Sequence, residues 1–431
     1  MDAALTDKPL CFIHLMKTAG ASTRIFLESQ FDHATILQAW NPQDFNNISK
    51  DKLAQYELFC GHIGRGQLDK FPKGTELFTI IRNPGRRLQS IHAWHRSLDK
   101  DYWEKGEMVA EKRNSSVTIS KAGRSLSAHR LKLAKELDFF EYVSSNDNSL
   151  RSLLNNFTLR QLIGNGTNFS SLDDQDSDNI KGYDTALKIL EDCTTVGVQE
   201  NLTQSLELLC YERNWAAPSE LPNIHSTGGK KQITQEEENI IKSRNKIDYE
   251  IYNKYSERFQ EDYSKLAEEA GGIKNIRQYL NDRHRETVFS RLIEKEELEL
   301  TANLAWPGIG WGLREFNHNN QYWRWIGQTG SASVLVRLKP NRQYYLKIYF
   351  HHINISKKIN LSDGISITGN SINMSNLKKG FENNYYVIGG LLEETHLRND
   401  GLTEIAITLS KGMIIEDGSA AVSRILIAPY S

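Results

Sequence analysis

The pattern of apolar positions changes once along this 431-residue chain, near residue 295. Before that point, short apolar runs rich in β-forming residues are each followed by a turn and by helical periodicity. This arrangement is typical of an α/β domain with a doubly wound parallel sheet. The C-terminal ends of such strands border one crevice, where ligands of open α/β sheets bind. The predicted strands of this part lie at 10–15, 57–60, 77–81 and 195–198.

Beyond residue 295 the apolar positions alternate in short strands separated by turns rich in Gly and Asn, which predicts an antiparallel β-sandwich. A charge-rich helical segment, Glu236 to Glu269, and a basic helical connector, Ile273 to Arg291, come before it. The predicted strands are Leu298–Leu304, Tyr322–Ile326, Ser333–Leu338, Tyr344–Phe350, Ile365–Ile367, Tyr385–Ile388, Thr403–Leu409 and Val422–Ile427.

The predicted domain organisation follows from these patterns. An α/β domain covers residues 1–272, a helical linker 273–295 and the β-sandwich 296–431. Within the first domain, residues of about 99–190 form a polar insertion over the sheet, with helical patches at Arg124–Val143 and Leu150–Ile163. The insertion ends in a segment rich in Ser and Asp, Ser170–Asp178. Long insertions of this kind often carry ligand contacts or a lid.

The segment from Cys11 to Arg24 carries the clearest candidate chemistry. An apolar strand runs into the turn Lys17-Thr18-Ala19-Gly20-Ala21-Ser22 and then into a helix. Small residues let the backbone approach an anion, the N–H groups at the helix start point toward it, and Lys17 adds a mobile positive charge. The turn therefore predicts an anion-binding loop. An ordinary strand, turn and helix with an exposed lysine is the alternative.

A second basic turn follows the strand at 77–81. It begins Arg82-Asn83-Pro84, where Pro84 is well suited to the start of a helix. Helical spacing brings Ser90 back toward the end of the strand, so Arg82 and Ser90 are predicted to hold one phosphate. The alternative is a solvated basic helix face.

Together the two turns resemble sulfotransferases that use 3′-phosphoadenosine 5′-phosphosulfate (PAPS). The family loop for the 5′-phosphosulfate is roughly Phe-Ile-His-x-Pro-Lys-Thr-Gly-Gly-Thr-Ser, and its 3′-phosphate element is Leu-Arg-Asp-Pro-x-x-Arg-x-x-Ser. This chain departs from them at Met16, Ala19 and Asn83. Similarity also covers a late strand and helix, Val-Gly-x-x-Glu-x-x-x-x-Ser-Leu from Val196, and a closing helix from Ile247. The resemblance thus extends over residues of about 10–260 at the level of motifs.

The resemblance implies a P-loop-like fold and a glycan or heparan-sulfate type of sulfotransferase. PAPS would be the co-substrate, 3′,5′-bisphosphoadenosine the product and no metal would be needed. The acceptor would be a saccharide hydroxyl, most simply of a bacterial surface polysaccharide. Residues 17–22 would bind the 5′ side, Arg82 and Ser90 the 3′-phosphate, and Lys17 would stabilise the leaving group.

The base that accepts the hydroxyl proton is predicted to be His62, in Phe59-Cys-Gly-His-Ile-Gly-Arg-Gly. Its strand ends at the same face of the sheet, and an imidazole titrates near neutral pH. Related glycan sulfotransferases carry a Gly-His segment here. The other histidines remain open: His14 is better explained as a buried strand residue, and His92 and His95 face either the acceptor or solvent.

Several alternatives remain. Met16 and Ala19 are compatible with a non-catalytic glycan-binding or assembly protein whose nucleotide site is degenerate. A small-molecule or lipid acceptor is also open, since the acceptor region is least like the family. A kinase-like nucleotide triphosphatase is disfavoured because its glycines precede the lysine, whereas here Gly20 follows it. Arg65 positions an acidic acceptor or is simply solvated.

Charge narrows the expected partners. The formal net charge is −1, which gives no support for nucleic-acid binding by the whole protein. From Arg82 to Lys132, however, twelve Lys and Arg stand against five Asp and Glu. Such a local surplus attracts an anionic donor and an acidic glycan.

Four scattered cysteines, Cys11, Cys60, Cys193 and Cys210, read as reduced core residues. The N-terminus lacks a signal-peptide pattern, and no apolar run reaches the roughly 18 residues of a membrane span. We therefore expect a bacterial enzyme in the cytoplasm or peripheral at the inner membrane. The sequence leaves its oligomeric state open.

Four of the eight tryptophans lie in the predicted sandwich. The stretches Gly310-Trp-Gly-Leu-Arg-Glu and Tyr322-Trp-Arg-Trp-Ile-Gly resemble sandwich domains appended to bacterial polysaccharide-modifying enzymes. Alternation places Trp323 and Trp325 on one face. Packing within the sandwich is the favoured interpretation, and stacking on sugar rings is the alternative.

Overall fold

A computed structural model provides the structure of the protein and describes residues 8–37, 45–99, 121–164, 180–219, 232–353, 364–410 and 420–430. Its first domain is built on a five-stranded sheet in the order β2-β3-β1-β4-β5, with every neighbouring pair parallel. The strands are continuous apolar runs because helices cover both faces of such a sheet. They are β1 (Leu10–Ile13), β2 (Ile36–Leu37), β3 (Leu58–Gly61), β4 (Glu76–Ile81) and β5 (Cys193–Val198).

Helices of this domain pack on the sheet and surround one large core. They are α1 (Gly20–Glu28), α2 (Lys50–Leu53), α3 (Arg65–Leu68), α4 (Pro84–Ser97), α5 (Lys121–Glu136), α6 (Phe139–Ser144), α7 (Asn148–Leu154), α8 (Phe157–Ile163), α9 (Ile180–Glu191), α10 (Leu202–Arg213), α11 (Gln235–Arg244) and α12 (Lys246–Glu269).

The predicted helical patches of the insertion are helical but broken into shorter pieces. Asp138 caps α6 in a capping box with Glu141, and Asp147 accepts from the amide of Ser149 at the start of α7. These side chains satisfy free amides at helix starts and so favour new helices over one long one. The predicted segment Ser170–Asp178 lies outside the described residues.

The C-terminal region is antiparallel and consists of two sheets. One has the order β13-β12-β16-β10-β7; the other is seven-stranded, with the order β14-β15-β11-β17-β9-β8 and β6 paired to β17. Apolar side chains of both sheets form a separate core. The strands are β6 (Leu298–Thr301), β7 (Gly308–Ile309), β8 (Trp311–Phe316), β9 (Tyr322–Ile326), β10 (Ser331–Arg337), β11 (Tyr344–Ile353), β12 (Ile365–Gly369), β13 (Ile372–Asn373), β14 (Lys378–Glu382), β15 (Tyr385–Leu392), β16 (Leu402–Leu409) and β17 (Ala420–Pro429).

The predicted order, a parallel α/β domain followed by an antiparallel β-domain, is therefore confirmed. All eight strands predicted for the second domain are present, with somewhat different ends. Sequence patterns missed β7, β8, β13 and β14. Two of these have only two residues, Trp311–Phe316 buries Gly312 and Arg314 and no large apolar side chain, and Lys378–Glu382 has no buried position.

A helix, α13 (Ile276–Arg291), connects the two domains and contacts both. Its residues Ile276 and Leu280 pack into the first core. Farther along, Arg285 donates to Glu404 of the second domain at 3.1 Å. Among the described residues, no helix has the length and apolar character needed to cross a membrane.

Candidate functional site

The loop between β1 and α1 has an unusual backbone. Lys17 (φ 68°) and Ala19 (φ 65°) both occupy the left-handed region. This conformation costs an L-residue about 1–2 kcal/mol, so the surroundings must stabilise it. The Thr18 hydroxyl donates to the carbonyl of Leu15 at 2.8 Å, which closes the turn. Ala19 thus stands at a left-handed position where the family pattern has glycine, and the loop tolerates it.

Gly20 lets α1 begin directly against the strand. A Cβ at this position would lie 1.8 Å from Cδ2 of the His14 ring, so only glycine fits without moving the imidazole. Ala19 at the N-cap has no side chain that could accept a hydrogen bond. The first-turn amides, including those of Ala21 and Ser22, are therefore available to an anion and carry the positive end of the helix dipole.

Arg82 meets this loop from the end of β4. Its Nη1 donates to the carbonyl oxygen of Lys17 at 2.8 Å. The side chain is only 8% exposed, and its Nε finds no partner within the described ranges. Burial, and secondly the charge of Arg82, lower the pKa of Lys17 to about 8. Two turns that are far apart in sequence thus bring two partly desolvated cations together.

One carboxylate lies beside this pair. Glu200, just after β5, accepts a hydrogen bond from the Asn83 amide at 3.2 Å, and its charge acts to raise the pKa of Arg82, although burial lowers it overall. Asn83 itself caps α4 by accepting from the Arg86 amide at 3.1 Å. Ser90 follows Asn83 by two helical turns and so lies on the same face of α4, half-buried. Contact between Ser90 and Arg82 is not found in the described part of the chain.

His62 lies in the loop after β3. Its Nδ1 donates to the carbonyl of His14 at 2.9 Å, and the two imidazoles stack with centroids 4.5 Å apart. A neutral imidazole that donates through Nδ1 has its lone pair on Nε2, so Nε2 is the basic nitrogen. Burial lowers the pKa of His62 below its usual value, which keeps the ring neutral at pH 7.

Gln161 of α8 is a site residue that sequence analysis missed. Its Nε2 donates to the His14 carbonyl at 2.8 Å, and its Oε1 accepts from the Met16 amide at 3.1 Å. A Cβ on Gly64 would lie 2.4 Å from the Gln161 carbonyl, so the His62 loop also needs a glycine here. The insertion therefore supports the anion loop directly. A sequence separation of 147 residues gave no local signal for this contact.

Helix α4 places two ring side chains, Trp94 and His95, near Lys17. The Lys17 ammonium lies 4.9 Å from the ring centroid of Trp94. Burial, then the charges of Arg130 and Lys17, lower the pKa of His95 to about 4, so this ring is neutral and close to Lys17. His92 instead donates to the Leu137 carbonyl at 3.1 Å and packs against Tyr142.

Other basic residues of these loops have structural partners. Arg87 is buried, donates to the Leu153 carbonyl at 2.6 Å and stacks on Phe157. Arg65 is exposed on α3 and pairs with Asp69 of the same helix at 2.8 Å. Arg65 also lines a cavity of about 560 Å³, and the Nε and Nη1 of Arg87 have no hydrogen-bond partner within the described ranges.

The tryptophans of the sandwich fall into two groups. Trp306 belongs to the core, and Trp311 packs edge-on against it at 4.6 Å. Trp323 and Trp325 share one face of β9, as predicted, but they stack on His351 and His352 at 4.3 and 5.9 Å. The favoured interpretation of core packing therefore describes the first pair better than the second.

All four cysteines are free and buried, as predicted, and burial raises the pKa of Cys60 and Cys193 to about 12. Within the described ranges, no three His, Cys, Asp or Glu side chains are grouped as metal ligands.

Comparison with known proteins gives little further information. No protein-family model matches the chain, and no curated protein matches it. One similar solved structure is a Podospora anserina GH26-CBM35 β-(1,4)-mannanase, with 14% identity and a TM-score of 0.22, over 32% of this chain and 28% of the mannanase. Another is a family 35 carbohydrate binding module from Clostridium thermocellum, with 13% identity and a TM-score of 0.21, over 31% of this chain and 98% of the module.

Proposed function

We propose that this protein is a PAPS-dependent sulfotransferase that acts on a saccharide hydroxyl. The observation that carries the proposal is the hydrogen bond between Arg82 and the Lys17 carbonyl, because it joins the two turns that resemble the donor-binding elements of the family. The anion loop also follows β1, which lies between β3 and β4 in the sheet. Ligands of open α/β sheets bind beyond the carboxyl ends of the strands, which is where this loop lies. The arrangement supports a P-loop-like fold for the first domain.

The residues present fit a doubly phosphorylated adenosine. Free amides at the start of α1 and the Lys17 ammonium suit the 5′ phosphate, since both offer positive charge without a competing acceptor. Arg82 and Ser90 suit the 3′-phosphate. A buried and a half-buried cation close together are unfavourable alone, so an anion between them would be strongly stabilised.

His62 is proposed as the general base. Its Nε2 accepts the proton of the acceptor hydroxyl while the hydroxyl oxygen forms a bond to sulfur. The bond from sulfur to the 5′-phosphate oxygen breaks, and its electron pair stays on that oxygen. Lys17 stabilises the resulting charge, as preorganised cations do in group transfer. The hydrogen bond from Nδ1 to the His14 carbonyl orients the ring and stabilises the imidazolium that forms.

Binding can be tested by calorimetry with 3′,5′-bisphosphoadenosine. We expect the wild-type protein to bind one equivalent and Arg82→Ala to bind at least about 30-fold more weakly, because a charge-assisted pair is lost. Arg86→Ala is the matched control, since Arg86 lies on α4 shortly after Arg82 and its side chain bonds only to Gln89 within the described residues. Its affinity should stay within about twofold. Absence of binding, or binding indifferent to Arg82, would reject the proposal.

Catalysis needs a separate test because a degenerate nucleotide site could still bind. Labelled PAPS and a panel of bacterial polysaccharides should show transfer by the wild-type protein. His62→Ala should lose about 100-fold to 10,000-fold in rate, the usual contribution of a general base, with unchanged affinity for the bisphosphate. Binding without transfer to any saccharide, small molecule or lipid would support the non-catalytic alternative instead.

A further inference from the structure

The helix that begins at the anion loop ends at the β-sandwich. With nine residues, α1 is about 13 Å long at 1.5 Å per residue. Its buried residues include Phe26 and Leu27, which belong to the first core. A helix this short is not stable by itself, so its position depends on the contacts at both ends.

Arg314 of β8 reaches the C-terminal end of α1. Its Nη1 donates to the carbonyls of Phe31 at 2.7 Å and Asn303 at 3.1 Å, and its Nη2 donates to the carbonyl of Glu28. The side chain is 9% exposed. The last carbonyls of a helix lack partners within the helix and carry partial negative charge, so a guanidinium satisfies and stabilises them.

Arg324 of β9 continues this contact. It is 3% exposed, and it donates to the carbonyls of Ser29 at 2.9 Å and Leu304 at 2.6 Å. Arg314 and Arg324 are directly opposite each other on neighbouring strands. Two buried like charges are costly, and Asp32 offsets part of this cost because its charge favours the charged form of both arginines. Asp32 also accepts from the amide of Ala305 at 2.6 Å.

We infer that Arg314 and Arg324 are positioning residues for the anion loop, so the sandwich is a fixed part of the donor site and not a freely moving appendage. Because a helix is rigid over nine residues, movement at its C-terminal end displaces the amides at Gly20, Ala21 and Ser22. The inference rests on the proposed function for its ligand, but the mechanical link between sandwich and helix can be measured without a ligand.

The test compares Arg314→Met and Arg324→Met with Arg285→Met in the full chain. Arg285 joins α13 to Glu404 and so links the same two domains without touching α1. Hydrogen exchange of the α1 amides should become about tenfold faster in the two test variants relative to α12, through local opening. It should stay within about twofold in Arg285→Met.

Bisphosphate affinity should fall about tenfold in Arg314→Met and Arg324→Met and stay within about twofold in Arg285→Met, as expected for a shift of the loop amides. If a Met variant does not fold, Arg314→Lys replaces it. A lysine keeps the charge but lacks the planar fork, so about a threefold increase in α1 exchange is expected.

The outcomes separate the two proposals. Unchanged α1 exchange in the test variants, or a uniform rise in both α1 and α12, would overturn the positioning role whatever the affinity. If the wild-type protein does not bind bisphosphate, the proposed function fails. In that case faster exchange confined to α1 would still support the link between sandwich and helix.

Discussion

Two cations lie near each end of α1, but the two pairs have different environments. At the C-terminal end, Arg314 and Arg324 donate to five backbone carbonyls. At the N-terminal end, Arg82 donates to one backbone carbonyl, that of Lys17, while the Lys17 ammonium lies over the Trp94 ring, and Ala19 offers no side-chain cap to the helix amides. Buried arginines that donate to several carbonyls hold the fold together, although the Nε of Arg324, like that of Arg82, has no partner within the described ranges. Cations that have few acceptors and lie beside uncapped helix amides indicate a place for an anion.

The pKa values of Arg314 and Lys17 also differ between the two ends. Burial lowers the pKa of Arg314 to about 10, still well above physiological pH, so its charge is permanent. Lys17, with its pKa lowered to about 8, is poised to gain or lose a proton near neutral pH. The charge of Arg314 should therefore be insensitive to pH near neutrality, whereas the charge of Lys17 should respond to it.

The largest expected effect is on stability at the C-terminal end. Arg314→Met should lower the free energy of unfolding by about 3 kcal/mol, because buried carbonyls lose their donors. Arg82→Ala should cost less than about 1 kcal/mol, since only one hydrogen bond is lost and charge repulsion with Lys17 is relieved. Urea denaturation of both variants provides the measurement. Equal costs would mean that the two ends are not distinct in the way proposed.

Gly20→Ala should cost about 2 kcal/mol, within the range for overpacking. The new methyl group would collide with the His14 ring and disturb its stacking on His62. Gly380→Ala is the control, because a Cβ there meets nothing within 4 Å. Melting of the two variants against wild type tests this close approach. A wild-type melting temperature for Gly20→Ala would contradict it.

Affinity for 3′,5′-bisphosphoadenosine should depend on pH through Lys17. Because its pKa is about 8, Lys17 is protonated at lower pH, where it attracts the bisphosphate strongly. Above this pKa, the protonated fraction of Lys17 in the free protein falls about tenfold per pH unit. Affinity falls with it up to the higher pKa that Lys17 has when the anionic ligand is bound. Lys17→Arg keeps its charge and should show a flat profile. Calorimetry from about pH 7 to about pH 9 compares the two, and parallel profiles would exclude Lys17 as the titrating group.

The smallest effect is expected at Arg65. It is exposed and, within the described residues, pairs only with Asp69 at the end of α3, so Arg65→Ala should change stability by less than about 0.5 kcal/mol. Transfer to an acidic polysaccharide should also be nearly unchanged. A rise of the KM for the acceptor without a change in kcat would instead assign Arg65 to acceptor binding.

Much of this architecture was predictable because it depends on local pattern. Apolar runs located four of the five strands of the parallel sheet and missed the two-residue β2, and alternation located eight strands of the second domain. Glycine, lysine and small residues in one turn, with an arginine after another strand, indicated the two halves of the candidate site. Such features are encoded within a few neighbouring residues.

Contacts over long sequence separations were not predictable. Gln161 supports the loop from 147 residues away, and Arg314 and Arg324 cap α1 from almost 300. In the sequence these side chains are ordinary polar residues of a helix and two strands. Their roles arise only when folding removes water around them and leaves backbone carbonyls as their partners.

The sequence by itself thus determined the order of the two domains, the strand positions and the residue types of the anion loop, because periodicity and turn chemistry act locally. Tertiary structure decided that Arg82 meets Lys17, that His62 donates from Nδ1 to His14 and so keeps its lone pair on Nε2, and that the sandwich holds the far end of α1. These outcomes depend on burial and on which carbonyls lack partners, which are properties of the folded chain.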